Sequence, residues 1–97
     1  MVEKLKLNYI APSTRKNKKY MAIFNDGFVV HFGDSRYLNF TDHRDKERKK
    51  QYILRHSNEK HLWYDAPLMP ASLSRWILWN EPNINDAIQN YKNRFNL

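Results

Sequence analysis

The sequence contains no cysteine, only two glycines, and no apolar run near the ~20 residues that a membrane-spanning helix needs. Without cysteine, neither a disulfide framework nor a thiolate metal site can form, and a reducing compartment is the natural setting. Two glycines and four prolines among 97 residues are too few for a low-complexity chain. The stretch Met1–Lys6 has no hydrophobic signal core. We therefore expect a folded protein that is made in the cytoplasm or nucleus.

Positive charge is present in excess and is unevenly distributed. The net charge is +7. Residues 1–40 carry seven basic and three acidic side chains, residues 41–61 seven and four, and residues 62–97 three and three. A basic surface attracts nucleic acid, anionic lipid or an acidic protein. The same charges could serve only solubility, but their asymmetry favours a face that meets a partner.

The first third of the chain predicts an antiparallel sheet. Lys4–Ile10 alternates between polar and apolar residues, which predicts a half-buried strand whose inner face carries Leu5, Leu7 and Tyr9. Ala11–Lys19 is polar and basic and is predicted to be an exposed loop. Tyr20–Asn25 and Phe28–Phe32 flank Asp26-Gly27, the signature of a hairpin with a type I′ turn. We expect about three strands.

Three helices are predicted after the sheet. Thr41 or Asp42 can cap a helix over about residues 42–56, and Asp45 and Glu47 suit its first turn. Its narrow apolar stripe leaves this helix mostly exposed. Ser57–Met69 reads as a linker. Pro70 opens a second helix and Asn83 or Asn85 caps the third. The predicted fold is a single α+β domain over residues 1–97, in which the three helices pack on one side of the sheet.

The basic side chains of the loop and of the first helix are the predicted binding residues for a polyanion or another partner. Six of them fall within twelve positions of the helix, which suits a sequence-independent contact with phosphates. Tyr20, Phe24 and Phe28 could stack on bases. The alternative is a solvated helix with pairs such as Asp45–Lys49. The predicted set is Arg15, Lys16, Lys18, Lys19, Arg44, Lys46, Arg48, Lys49, Lys50 and Arg55.

The motif Ser74-Arg75-Trp76-x-x-Trp79 is the most unusual local feature. We favour a core helix in which Arg75 is paired with a buried acid or carbonyl. The alternative is an interface, because Trp and Arg are over-represented among binding hot spots. Helical spacing centres the inward stripe near Trp76. We therefore predict Trp76, Tyr52 and Phe32 in the core, and Trp63 and Trp79 as aromatic residues of an interface.

Catalytic signatures are missing. The four histidines, His31, His43, His56 and His61, are not spaced like zinc ligands. A single glycine in Gly33-Asp34-Ser35-Arg36 does not make a phosphate loop, and no Ser-His-Asp signature is present. We expect no catalytic residue, metal, cofactor or small-molecule substrate, and we expect that the protein is not an enzyme.

Several motifs from residue 31 onward resemble a known family. They are His31-Phe32-Gly33-Asp34-Ser35-Arg36-Tyr37, then Asn39-Phe40-Thr41-x-His43-x-Asp45-x-x-Arg48-Lys49-x-x-Tyr52-x-x-Arg55-His56, then Ser74-Arg75-Trp76-x-Leu78-Trp79-Asn80. They resemble a family of short basic proteins of unknown function encoded by large DNA viruses, including viruses of algae. The resemblance covers about residues 20–80. Asn39 departs from it, because the family is expected to have Asp there.

This resemblance implies a viral setting and a place in the virion. Together with the missing catalytic motifs, it leads us to expect a small structural protein, a minor capsid or cement component that binds larger capsid proteins. The alternative is a nucleic-acid-binding protein that packages viral DNA without sequence preference.

Overall fold

The computed structural model describes residues 4–97 and confirms the α+β fold. Its N-terminal sheet has three antiparallel strands in the order β1-β2-β3. They span Leu7–Pro12 (β1), Lys18–Phe24 (β2) and Val29–Asp34 (β3). The exposed loop predicted over residues 11–19 is therefore shorter, because both flanking strands extend into it.

A β-bulge in β1 changes which side chains face the core. Leu7 pairs with Phe24, but the next pair joins Tyr9 to Ile23, so Asn8 is an extra residue. An extra residue reverses the alternation of a strand. Tyr9, predicted on the inner face, is 56% exposed, and Ile10 packs against the core in its place.

The hairpin between β2 and β3 is present, but its turn differs from the predicted type I′. The loop is Asn25-Asp26-Gly27, closed by the Phe24 amide donating to the Phe28 carbonyl at 2.9 Å. Of these three loop residues Gly27 alone has a positive φ, 89°. A type I′ turn needs two such residues, whereas a three-residue loop with glycine in the left-handed region needs one.

Five α-helices follow the sheet, where the sequence predicted three. A 3₁₀ turn covers Ser57–Glu59, within the stretch predicted as a linker. A π-helical segment, Ser74–Leu78, continues directly from α4. The α-helices are Phe40–His43 (α1), Lys46–Arg55 (α2), Lys60–Asp65 (α3), Pro70–Leu73 (α4) and Ile84–Phe95 (α5).

The predicted helix over residues 42–56 is divided at Arg44. This residue has a left-handed backbone, φ 57°, which ends α1. The carboxylate of Asp45 then starts α2 by accepting hydrogen bonds from the amides of Glu47 and Arg48, at 2.9 and 3.3 Å. The effective cap of the long helix is therefore Asp45, with α1 as a separate turn before it.

The core lies between one face of the sheet and the C-terminal helical elements, so the helices pack on one side as predicted. Phe32 and Trp76 are buried, at 0% and 3% exposure. Trp63 is also buried, at 2% exposure, and its carbonyl accepts a hydrogen bond from Trp76 Nε1 at 2.8 Å. The prediction of Trp63 as an interface residue is wrong, because α3 turns its ring into the core.

Candidate functional site

A groove of about 820 Å³ lies between α2 and the segment that follows β3. One lip is formed by Tyr37, Leu38 and Asn39. The floor is formed by α4 and the π-helical segment, which contribute Pro70, Ala71, Ser74 and Leu78. Because these elements are far apart in the chain, only the folded protein assembles this groove.

The second lip of the groove is one face of α2. Arg48, Gln51, Tyr52 and Arg55 line it, with the i, i+3, i+4, i+7 spacing of a single helical face. Lys18, at the start of β2, also lines the groove. The structure therefore brings together three of the predicted binding cations, Lys18, Arg48 and Arg55.

The other predicted cations lie elsewhere. On the opposite side of α2, Lys46, Lys49 and Lys50 line a second, smaller depression. Arg15 and Lys16 are exposed on the turn between β1 and β2, and Arg44 is exposed between α1 and α2. The predicted basic helix thus has two separate basic sides and does not form one continuous face.

Two of the predicted binding cations are engaged within the fold. The ammonium of Lys19 donates to Asp42 Oδ2 at 2.7 Å and to the Tyr37 carbonyl at 3.0 Å. The ammonium of Lys49 donates to the Asn80 carbonyl at 2.7 Å. Burial lowers the pKa of Lys49. Their assignment to a partner is corrected, since both ammonium groups satisfy acceptors inside the protein.

The predicted pair between Asp45 and Lys49 does not form. Asp45 caps α2, and its carboxylate lies 3.9 Å from Arg48 Nε. Lys49 turns the other way, across the ring of Phe40 at 5.0 Å. The part-buried carbonyl of Asn80 gives the ammonium a better-shielded acceptor than an exposed carboxylate does.

A stack of aromatic rings forms the inner wall of the groove. The ring of Tyr52 lies between those of His56 and Trp79, with centroid distances of 4.2 and 4.4 Å. Tyr52, predicted in the core, is half-buried, and burial raises the pKa of its hydroxyl. Trp79, predicted at an interface, is also half-buried and lines the groove.

Arg75 lies beneath this wall and is paired with a carbonyl, one of its two predicted partners. Its Nη1 donates to the carbonyl of Trp79 at 3.0 Å, and its guanidinium lies 4.5 Å from the ring of Trp76. Burial lowers the pKa of Arg75. The guanidinium of Arg94 also covers Trp76, at 3.8 Å. Arg75 therefore stabilises the end of the π-helical segment.

Two exposed apolar side chains at the groove were not predicted from the sequence. Tyr37 and Leu38 are 68% and 63% exposed. Their segment is anchored by Arg36, whose Nε and Nη2 donate to the carboxylate of Asp34 at 2.9 and 2.8 Å. The hydrogen bonds from Arg36 lower the pKa of Asp34 to about 2. The only sequence signal was two adjacent large side chains, Tyr37-Leu38, in a polar stretch.

Residues 9–56 match the model of a family of unknown function. They form a DUF5754 domain. No curated protein and no solved structure was found to match the chain. The DUF5754 domain covers β1 from Tyr9 onward, β2, β3, α1 and α2, and so supplies both lips of the groove. The floor and Trp79 come from residues that follow the domain, so the groove depends on both parts of the chain.

Three histidines of the DUF5754 domain make hydrogen bonds through Nδ1. His31 Nδ1 lies 2.7 Å from Ser13 Oγ, and His43 Nδ1 accepts the amide of Asp45 at 2.9 Å. His56 Nδ1 lies 3.0 Å from the Tyr52 carbonyl.

Within residues 4–97, no three His, Asp or Glu side chains are grouped to hold a metal ion. Over the same residues, no helix has the length and apolar character that a membrane crossing requires.

Proposed function

We propose that this chain is a non-catalytic binding protein that holds an acidic segment of a larger protein in the groove. The observation that carries this proposal is the convergence of Lys18, Arg48 and Arg55 around a groove whose lip exposes Tyr37 and Leu38. Cations select an acidic partner, and exposed apolar side chains supply contact area that a purely ionic surface lacks.

The charge distribution supports a protein partner over a nucleic acid. Duplex DNA requires a row of cations that follows its phosphates. Around the groove, the three cations are accompanied by Asp34 and Glu59, and the remaining cations of α2 face the opposite side. A mixed, partly apolar surface is typical of protein interfaces.

The viral resemblance suggests the setting in which such a protein acts. In a virion, the larger protein is a capsid subunit, and this chain is a minor capsid or cement component. Mass spectrometry of purified particles, fractionated into shell and DNA core, tests this setting. We expect the protein in fixed stoichiometry in the shell fraction, and its recovery in the DNA core would contradict the capsid role.

Two charge reversals on opposite sides of α2 test the groove itself. The probe is a fluorescently labelled peptide of Asp and Glu residues interrupted by Leu and Tyr. Arg48→Glu with Arg55→Glu should weaken binding about tenfold or more, because both side chains line the groove. Lys46→Glu with Lys50→Glu is the matched control, since it changes the charge equally on the other side of the helix.

The same variants distinguish peptide binding in the groove from the alternative function, which is sequence-independent binding of DNA. The exposed cations Arg15, Lys16 and Arg44, outside the groove, favour this second candidate. A DNA-binding protein should bind duplex DNA with an affinity that falls steeply with salt, and both double reversals should weaken it alike. Equal loss in both variants, for peptide as well as DNA, would contradict the groove as the binding site.

A further inference from the structure

The outer face of the sheet, turned away from the helices, carries two adjacent rows of mostly apolar side chains. Because directly paired residues of antiparallel strands point to the same face, the register defines each row. The first row consists of Tyr9, Ile23 and Val29. The second consists of Ala11, Met21 and His31. Each row crosses all three strands.

These rows remain accessible in the folded chain. Tyr9 and Val29 are 56% and 40% exposed, and Ile23 and Met21 are half-buried. The apolar cluster that joins the sheet to the helices uses the opposite face, through residues such as Ala22, Val30 and Phe32. A contiguous exposed apolar patch on a small domain marks an interaction surface.

Basic residues border one end of this outer face. At the edge of the second row, His31 Nδ1 lies 2.7 Å from Ser13 Oγ, and the amide of Arg15 donates to that same oxygen at 3.0 Å. Lys16 follows on the same turn and is exposed. Within residues 4–97, neither Arg15 nor Lys16 forms an ion pair with a carboxylate. The patch therefore has an apolar centre and a basic border.

We propose that the outer face of the sheet is a second docking surface, and that its occupant is an apolar patch bordered by carboxylates on a folded protein. The apolar centre disfavours nucleic acid, because its phosphates would find no cationic side chain on most of the two rows. A second copy of this chain is disfavoured because each copy carries a net charge of +7. An apolar patch with carboxylates at its edge matches both the apolar centre and the basic border of this face.

The two surfaces together describe a protein that joins two others. The groove opens on the helical side, over α4 and the π-helical segment, whereas the outer face is on the other side of the sheet. Simultaneous occupation of both surfaces bridges two partners. The bridging role rests on the proposed function of the groove, but the docking surface on the sheet does not.

The experiment is a titration of the full chain, followed by NMR of its backbone amides. The probe is a short amphipathic helical peptide with Leu along its centre and Glu along both borders. We expect the amide shifts to change at Tyr9, Met21, Ile23 and Val29, with smaller changes near Arg15. A peptide of the same pattern with Lys in place of Glu is the control for charge. Its affinity should be lower by about tenfold or more.

Two double variants locate the binding. Tyr9→Lys with Val29→Lys places cations on the exposed row and should reduce affinity for the Glu-bordered peptide about tenfold or more. Leu54→Lys with Met69→Lys is the matched control, because both side chains are exposed and apolar but lie away from this face, Leu54 on α2 and Met69 directly before α4. Circular dichroism and urea melts verify that all variants remain folded.

Different failures have different meanings. Shift changes confined to the groove, or equal binding of the Lys-bordered peptide, would overturn the docking surface on the sheet. Concentration-dependent dimerisation in sedimentation that Tyr9→Lys with Val29→Lys abolishes would assign the face to a second copy instead. Binding that survives Arg48→Glu with Arg55→Glu, but is lost in the sheet variant, supports this surface even if the groove proposal fails.

Discussion

The rings of Tyr52 and Trp79 stack face to face, with centroids 4.4 Å apart and planes 3° from parallel. Tyr52 belongs to α2, within the DUF5754 domain, whereas Trp79 directly follows the π-helical segment outside it. The stack is therefore a direct link between the two parts of the chain that form the groove. Its loss should affect the groove more than the core.

Replacing the two tryptophans of the π-helical region should have different effects. Trp76→Ala should cost ~3–5 kcal/mol of unfolding free energy, because a buried ring is lost and a cavity remains. Trp76 is 3% exposed and donates a hydrogen bond to the Trp63 carbonyl. Trp79→Ala should be milder and should weaken binding at the groove. Urea melts of both variants measure the two losses of unfolding free energy. A larger loss for Trp79→Ala would contradict the assignment of Trp76 to the core and Trp79 to the groove.

The ring of Tyr52, and not its hydroxyl, should account for its contribution to stability. Tyr52→Phe keeps the stack and should unfold like the parent protein, whereas Tyr52→Leu removes one aromatic face. A double-mutant cycle with Trp79→Leu should give a coupling of about 0.5–1.5 kcal/mol. A coupling indistinguishable from zero would show that the parallel rings are only neighbours.

Lys49 should be more important to folding than its neighbour Lys50. Lys49→Met leaves the Asn80 carbonyl without its donor, at a cost of about 1.5–3 kcal/mol for a hydrogen bond to a charged group. Lys50→Met removes the same charge from an exposed position and should change stability by less than about 0.5 kcal/mol. Thermal or urea unfolding provides the comparison, and equal effects would mean that the internal contact is not stabilising.

The two glycines allow a matched test of packing at the end of β3. Both have positive φ, 89° at Gly27 and 78° at Gly33, so alanine strains the backbone at either site by ~1–2 kcal/mol. At Gly33 the added Cβ would also lie 2.7 Å from Leu78 Cδ1, whereas at Gly27 it meets open space. Gly33→Ala should therefore be the more destabilising change in urea melts. Equal losses would indicate that Leu78 moves aside freely.

The segment beside the groove should respond to acid through Asp34. Its pKa is lowered from 3.8 to about 2, first by the side-chain hydrogen bonds from Arg36. A carboxyl whose folded-state pKa is depressed stabilises the folded state above its unfolded value. This contribution is present above pH 3.8 and is lost as the pH falls towards 2. NMR titration of Asp34 should give the low pKa, and Arg36→Gln should raise it; an unchanged value in that variant would rule out Arg36 as the cause.

The sheet and its hairpin could be predicted because their signals are local. Alternation of polar and apolar residues in the first third predicted the strands, and Asp26-Gly27 predicted the hairpin. The bulge at Asn8 could not be seen in the same way, because a shift in pairing depends on the partner strand. The division of the helix at Arg44 was hidden too, since arginine carries no signal for a left-handed backbone.

The candidate site was predictable in its chemistry and not in its arrangement. The sequence identified Arg48, Arg55 and Lys18 as candidate binding residues, but only within a set of ten cations. Helical spacing alone would have divided the cations of α2 into two sides. Helical spacing could not show which side of α2 lines the groove, because the floor of the groove comes from residues 70–78, far along the chain.

The sequence by itself determined the fold class, the excess of positive charge and the incapacity for disulfides, because these follow from composition and from short-range periodicity. The tertiary structure decided which side chains are available to a partner. Lys49 is held by the carbonyl of Asn80, 31 positions away, and Trp63 is buried, with its carbonyl bonded to Trp76 Nε1. Burial is a property of contacts between distant segments, so the same lysine or tryptophan can serve folding or binding according to what the fold brings beside it.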